Sequence, residues 1–399
     1  MEQRLFTWRF GAIALAHFLV TMTFMLLMSF VAGYAQRRFG VDGVLAGFAA
    51  GVFVLGGLAG RLALGQRIDV WGRRRSLQGA LAVMLAAAVA SLFLGDIWSF
   101  SIVRFIQGAA FGLATNVTNT AAMEMIPPAR RGEGTGWFTL AVTLSTALGP
   151  FAGIALERSL GPEAVLWMAV ACCALALLMS ILTPVPEAAL ARDELRERGR
   201  WRLADVVEPA AAPLALVGFL SAAAFSTVLA FLGAYSAEAG FPEWGSVFFL
   251  GYAAGLVVTR PGAGRALDRF GDNIVVAPSL LCHAAALALL AVVGAPWQLL
   301  AIAVLLALGH GATSSALQAI AVGRTAPHRR SIAVSTYYVG LDGGLGVGPL
   351  LFGALAGAVG HRGMYWSAAA LMLAAFALYW LLHGRRPLRP LSTVGGQPS

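Results

Sequence analysis

"RLALGQRIDVWG" at residues 61–72 and "RPGAGRALDRFG" at residues 260–271 are the stretches on which the fold turns. Both fit the pattern R-x3-G-x3-D-x2-G. Arg61, Gly65, Asp69 and Gly72 align with Arg260, Gly264, Asp268 and Gly271 at one offset, 268 − 69 = 199 residues. The register persists along the chain. Pro128, Arg130 and Arg131 pair with Pro327, Arg329 and Arg330, and Gly149-Pro150 pairs with Gly348-Pro349. A constant offset over about ninety residues marks a duplication, of the kind that builds parallel structural repeats about an axis along the membrane normal.

Around the repeat the chain is apolar. Of 399 residues, 59% are hydrophobic and only 12% charged, with mean hydropathy +0.77. A soluble domain carries about 25% charge, so lipid has to solvate most of this surface. A helical crossing needs about 20 mostly apolar residues. Twelve such runs occur, at 10–33, 44–66, 76–95, 98–122, 135–156, 164–184, 212–235, 245–264, 274–293, 297–321, 333–357 and 364–383. They are continuous and rich in Leu and Ala, without the alternation of strands. The expected fold is an all-α membrane protein with twelve transmembrane helices in two pseudo-symmetric six-helix bundles. The bundles fall at 1–184 and 212–386, with a linker at 185–211 and a tail at 387–399. The linker's interspersed acids and Arg read as a solvated tether. The first run is too long for a signal-peptide core and lacks a small-residue cleavage site, so it reads as a span.

The net charge is +9 and every basic residue is Arg. These arginines sit in short loops between apolar runs, a topology signal rather than a nucleic-acid surface. Arg73–Arg75, Arg130–Arg131, the linker arginines, Arg265, Arg269, Arg324, Arg329 and Arg330 fall on one side. By the positive-inside rule, both termini are expected in the cytoplasm and the chain in the cytoplasmic membrane. Cys172, Cys173 and Cys282 lie inside apolar runs and read as packing residues, with no disulfide and no metal-ligand spacing. No P-loop, zinc, nucleophile-elbow or haem motif was found, which disfavours a membrane enzyme or a non-transporting receptor.

With the repeat in hand, "GQRIDVWGRRR" at 65–75 resembles the loop 2–3 signature of the major facilitator superfamily, G-x-L-x-D-R-x-G-R-[KR]-x. Gly65, Asp69, Gly72, Arg73 and Arg74 match; Arg67 and Val70 depart from the usual Leu and Arg. The second copy keeps Gly264, Asp268, Arg269 and Gly271, but Asp272-Asn273 replaces the basic pair. The resemblance implies a transporter working by alternating access, with Arg61, Arg260 and these residues forming a cytoplasmic gate. "RFIQGAAFG" resembles the family's R-x-x-Q-G motif, which makes Arg104 a proton-coupling candidate, with Gln107 a candidate for the substrate cavity; the plainer role for Arg104 is snorkelling. Gly149, Pro150 and Gly153 partly match the antiporter signature G-x3-G-P-x2-G-G. With Gly348, Pro349 and Gly353 they are expected to form hinges or close contacts between bundles. The uptake motif P-E-S-P-R is absent after the sixth span, where only Pro184, Pro186 and Glu187 remain.

Ionisable residues inside spans are functional candidates by default. Asp342 in "YYVGLDGGLGVGP" is the clearest, since a carboxyl within a span can take up and release a proton; the alternative is a helix–helix hydrogen bond. His17 and His310 follow, each a lone His in an apolar run that could equally be a packing residue. His283 ranks below them, because the resemblance puts its span outside the cavity. Family helices 1, 4, 7 and 10 line the cavity, and their polar residues here are Thr21, Asn116, Asn119, Ser226, Thr227, Ser314, Ser315 and Gln318, with Tyr337 and Tyr338 added from the eleventh span. Glu124 is expected to pair with Arg130 or Arg131. The leading expectation is a monomeric, proton-coupled exporter of a drug-like compound or metabolite, metallophores included. Its partners are protons and the bilayer, and it needs no cofactor, metal or nucleic acid. An uptake symporter or uniporter of the same fold is the alternative.

Overall fold

The computed structural model describes residues 7–64, 68–127, 131–187, 207–325 and 329–385. Most of the linker 185–211, the tail 387–399, Gly65 and Arg130 lie outside them, as do the side chains of Asp69, Arg131, Arg260, Gly264 and Asp268. Among the described residues the chain is helical throughout. The helices are α1 (Trp8–Phe39), α2 (Gly43–Leu64), the short α3 (Ile68–Trp71), α4 (Arg73–Ala90), α5 (Ile97–Met125), α6 (Arg131–Leu160) and α7 (Pro162–Leu182). They continue with α8 (Ala212–Glu238), α9 (Trp244–Phe270), α10 (Asp272–Ala291), α11 (Pro296–Gly323), α12 (330–359) and α13 (361–384).

Nine described stretches are long and apolar enough to cross a membrane. One of them, Ile332–Gly384, is two helices broken at Gly360, where φ of 72° requires glycine. α4, which opens on three arginines, and α9, whose apolar part is Trp244–Thr259, bring the set to the expected twelve. The short α3 lies in the loop between the second and third of them. Local chemistry sets the ends. Thr7 caps α1 through the Phe10 amide, and Gly40 closes the helix at φ 66°. Asp96 caps α5 through the amides of Trp98 and Ser99; hydrogen bonding from Ser99 holds its carboxyl below the usual aspartate value.

The chain divides into two compact units, Met1–Val41 with Phe48–Trp201, and Asp42–Gly47 with Arg202–Ser399. In the first, a core of Ile13, Val20, Leu77, Leu81, Met84 and Val117 packs between α1, α4 and α5. Small residues bring α2 and α5 into backbone contact. A Cβ added at Gly108 would meet the Phe53 carbonyl oxygen at 1.8 Å, and one at Gly112 would meet that of Gly57 at 2.2 Å. This is the small-xxx-small packing that substitutes for a hydrophobic driving force in lipid.

In the second unit α8 runs against α12 in the same way, Gly344 facing the Phe219 carbonyl and Gly348 facing Ala223 and Ser226. Gly149 and Gly153 do the same to Met25, Leu26 and Ser29 of α1. The close contacts at Gly149, Gly153 and Gly348 thus lie inside each unit. Gly353 lies against Gly43, and Pro349 against Gly47, both pairs within the second unit. α6 and α12 continue as helices through Pro150 and Pro349.

Candidate functional site

Each unit carries its own buried polar cluster. In the first, Arg104 lies on α5 and is 1% exposed, which removes snorkelling as its role. Its guanidinium sits over the Phe53 ring, 4.5 Å from the centroid, and Nη1 donates to Gln107 Oε1 at 2.8 Å. Arg104 Nε and Nη2 and Gln107 Nε2 are enclosed with no hydrogen-bond partner among the described residues. An arginine inside a span costs roughly 2.5–3.5 kcal/mol on insertion scales, and a desolvated cation–π contact returns on the order of 2. Polar capacity is thus left over at this point, as a binding or switching site requires.

On α1, His17 Nδ1 lies 2.7 Å from Thr118 Oγ1 and its ring 4.6 Å from that of Phe138. The Thr118 hydroxyl has one proton, drawn to the Ala114 carbonyl at 2.9 Å. Nδ1–H of His17 is therefore the donor to Thr118, which leaves Nε2 of the neutral ring as an acceptor. Thr21 donates to the His17 carbonyl. Asn116 is half-buried and Asn119 exposed on α5.

The second unit holds a cluster with more chemistry. Ser221 Oγ of α8 lies 3.3 Å from Nδ1 of His283 on α10 and 3.2 Å from Nδ1 of His310 on α11. The two imidazoles are 5.3 Å apart, and His310 stacks on Phe225 at 4.0 Å and 10°. His283 Nε2 is enclosed with no hydrogen-bond partner among the described residues. A serine hydroxyl has one proton and two lone pairs. Between two Nδ1 atoms it donates to one and accepts from the other, so one ring carries a proton on Nδ1 and its neighbour does not. The three side chains form a line along which a single proton can pass.

The local fold builds this line deliberately. α11 makes a π-turn over Ala307–Gly311, "ALGHG", a distortion that re-aims side chains and recurs at functional sites. Gly309 lets the π-turn reach α10: a Cβ there would lie 2.5 Å from the His283 nitrogen. His283, placed below the other span histidines on sequence alone, is the third member of this contact. The "GHG" at 309–311 was the available signal, since two glycines flanking a span histidine announce a close helix approach.

The other candidates take quieter positions. Ser226 and Thr227 are fully buried and bond carbonyls of their own helix. Ser314 and Ser315 bond Gly311. Tyr337, expected to add aromatic surface, is 1% exposed, packs on Gly218 and donates to the Ser314 carbonyl. Tyr338 donates to Gln318 at 3.4 Å. Asp342 is half-buried on α12.

At the Arg-rich edge the repeat is visible in the backbone. Gly72 and Gly271, 199 residues apart, take φ of 87° and 88°, a conformation that L side chains avoid. Arg73 Nη1 pairs with Glu124 at 2.5 Å; Arg130 and the side chain of Arg131, the partners expected for Glu124, lie outside the described residues. Glu187 accepts the Arg73 and Arg74 amides at 2.7 and 3.0 Å. In the second unit Asp272 Oδ2 accepts from Arg324 and from His383 Nε2, both at 2.9 Å. Arg61 is half-buried, and Arg269 lies 5.3 Å from the Phe270 ring centroid.

Apolar helices long enough to cross a bilayer, divided between two units that each carry a buried polar cluster, define a polytopic membrane protein. The family model of the Major Facilitator Superfamily matches residues 13–261 and 214–398, and the chain belongs to that superfamily. It is 26% identical over 378 residues to an uncharacterised MFS-type transporter of Burkholderia pseudomallei (strain 1106a), covering 92% of this chain and 90% of the relative. Over 189 residues, 45% of this chain and 46% of the relative, it is 30% identical to the multidrug resistance protein MdtG of Dickeya zeae (strain Ech586). Among solved structures it resembles the nucleoside transporter NupG, with a TM-score of 0.74, 14% identity and coverage of 94% and 99% of the two chains. It also resembles the xylose transporter XylE of E. coli in a partially occluded inward-open conformation, with a TM-score of 0.70, 17% identity and coverage of 98% and 100%. At these identities the structures speak for the fold alone.

Proposed function

We propose that this chain is a proton-coupled exporter of a drug-like or small-metabolite solute in the cytoplasmic membrane, acting as a monomer with both termini in the cytoplasm. The observation that carries the coupling is the Ser221 hydroxyl between Nδ1 of His283 and Nδ1 of His310. A pair of imidazoles bridged by one hydroxyl, enclosed within the spans of one unit, is chemistry for holding and handing on a proton. Arg104, His17 and Asp342 are the further coupling candidates. Arg104 and Gln107 keep unused donors of the kind that a solute or a second ionisable group would take up. Export is supported by the likeness to the Dickeya multidrug resistance protein over nearly half the chain and by the Gly149-Pro150-x2-Gly153 run. The Arg-bearing edges around Gly72 and Gly271 act as the cytoplasmic gate in this reading.

The test is flux in proteoliposomes loaded with a pH-sensitive dye, using amphiphilic and zwitterionic compounds first selected by thermal shift. An imposed pH gradient should drive solute movement accompanied by proton counterflow. Ser221→Ala, His283→Gln and His310→Gln should each lose most of the gradient-driven flux while keeping the thermal shift with the same solute. Gradient-driven flux preserved in all three variants would remove the coupling assignment. Solute accumulating in energised cells instead of being depleted would reverse the direction to uptake.

A further inference from the structure

The first unit has a groove on its outer face that the transport reading does not use. Its volume is about 510 Å³, and it runs between α2, α3, α4 and α5. One end is polar and the rest is hydrocarbon. At the polar end stand Arg75, Ser76 and Trp71; further along come Gly79 and Val83 of α4, facing Ile106 of α5. Trp71, Val83 and Ile106 are 45%, 41% and 46% exposed, so in a membrane this groove opens to lipid and not to water.

Two observations at the polar end point to a ligand. Ser76 is 6% exposed, lines the groove, and its Oγ is enclosed with no hydrogen-bond partner among the described residues. A buried, unmade hydroxyl bond costs on the order of 1–3 kcal/mol, which an incoming acceptor would recover. Next to it Arg75 is exposed and makes no hydrogen bond or ion pair among the described residues. Arg74, by contrast, spends a guanidinium donor on the Ile181 carbonyl. A free guanidinium beside a free hydroxyl is a donor set for a phosphate.

The long dimension matches one leaflet. Arg75, Gly79 and Val83 stand at i, i+4 and i+8, on one stripe of α4. Eight residues of helix rise about 12 Å, against roughly 15 Å for half of a hydrocarbon core about 30 Å thick. A charged head at Arg75 therefore places an acyl chain along Gly79 and Val83. The groove stays open because Gly79 has no side chain; a Cβ there would meet nothing within 4 Å. A second outer groove, of about 340 Å³ between α10 and α13, is lined by Leu281, Trp366 and other apolar residues. It offers no head-group anchor and so no reason to choose one lipid over another.

We propose that the α2–α5 groove is a binding site for an anionic glycerophospholipid, its phosphate held by the Arg75 guanidinium and the Ser76 hydroxyl and one acyl chain lying along Gly79 and Val83. Only the choice of the cytoplasmic leaflet rests on the orientation proposed above; binding in detergent does not.

The experiment is native mass spectrometry and thermal unfolding of the full chain in mild detergent, with phosphatidylglycerol, phosphatidylcholine or inorganic phosphate as the probe. The wild type should retain one phosphatidylglycerol in preference to phosphatidylcholine and unfold at a higher temperature with it. Arg75→Gln combined with Ser76→Ala should weaken that retention roughly five- to tenfold, as the loss of one cationic contact and one hydrogen bond implies. Gly79→Leu should block it while leaving the gel-filtration profile unchanged, and this variant decides the matter if the double variant fails to fold. Arg265→Gln, at the corresponding edge of the second unit, should leave retention intact. Equal retention of the two lipids by the wild type, or full retention by Gly79→Leu, overturns the proposal. So does stabilisation by inorganic phosphate alone to the same degree, which would make this an anion site and not a lipid site.

Discussion

The two units hold the same edge together with opposite signs. Arg73 pairs with Glu124 in the first. Asp272, its equivalent 199 residues on, pairs with Arg324 in the second, one residue beyond the position equivalent to Glu124. The third partner is inverted as well: Glu187, following α7, reaches the start of α4, and His383, ending α13, reaches the start of α10. Attraction between opposite charges does not depend on which helix carries which sign, so the pair survives the exchange. The helix dipole does depend on it. Asp272 in the first turn of α10 faces the positive helix end and is favoured there, whereas Arg73, Arg74 and Arg75 oppose it at α4. Glu187 corrects this by accepting the Arg73 and Arg74 amides. One half thus carries its own N-terminal anion, and the other borrows one from the segment after α7.

The units differ again at the crossing of their second and fourth long helices. α2 and α5 touch backbone to backbone through Gly56, Gly60, Gly108 and Gly112. At the equivalent α9–α11 crossing, Gly255 faces the Ala307 side chain and Gly311 faces that of Leu256. The looser crossing contains the π-turn that carries His310. Both crossings carry buried polar side chains, Arg104 on α5 and His310 on α11, but the helix is distorted only at the second.

The largest expected effect breaks that second contrast. Gly108→Leu drives a side chain into the Phe53 carbonyl and should abolish recovery of folded protein on fluorescence-detected gel filtration. Ala307→Leu, at the equivalent place, should cost about 1–3 kcal/mol, as overpacking does, and lower the melting temperature without abolishing folding. Equal behaviour of the two would mean that the crossings are alike.

Next in size is the loss of an acid against the loss of a base. Asp272→Ala strands Arg324 and His383 together and should cost about 2–4 kcal/mol, the lower range for breaking a buried pair, because Arg324 is a third exposed. Arg73→Ala should cost less, about 1–2 kcal/mol, because the Glu124 left behind is 45% exposed and keeps its water. Melting temperatures of the two variants rank them; the reverse order would show that the first pair, not the second, holds the edge.

The smallest effect sharpens the dipole argument. Glu187→Gln should cost about 1 kcal/mol, the usual worth of a helix cap. Exchanging Arg73→Glu with Glu124→Arg should recover little stability while Glu187 remains, since two acids then meet at one helix end. Adding Glu187→His to that exchange should restore stability towards wild type by copying the second unit. Full recovery from the double exchange alone would show that the dipole is irrelevant here.

Much of the architecture was legible in the sequence. The 199-residue offset, the apolar run lengths and the arginine placement predicted helices whose observed ends differ by a few residues, because run length against bilayer thickness is a one-dimensional constraint. Gly72 and Gly271 announced a special backbone, and both have it. Arg104 and Gln107 stand three residues apart, and one turn of helix brings them together. The place of His283 was not legible because Ser221 lies 62 residues from His283 and 89 from His310, and no periodicity encodes a meeting of three helices. Among the described residues Glu124 meets Arg73, 51 residues away, a pairing that no local spacing announces. Gly149, Gly153 and Gly348 were read as close-contact residues, and each lies against a neighbouring helix of its own unit; a glycine states that a backbone approaches but not which one.

By itself the sequence determined that this is a duplicated, twelve-helix membrane chain with one arginine-rich edge, because span length, repeat offset and charge asymmetry are each properties of a line of residues. Only the tertiary structure decided that Ser221 bridges His283 and His310, that the edge pairs are inverted between the halves, and that Ser76 keeps an unused hydroxyl in an open groove. Those are facts about which side chains come within about 3 Å of one another, and that distance is set by how helices cross.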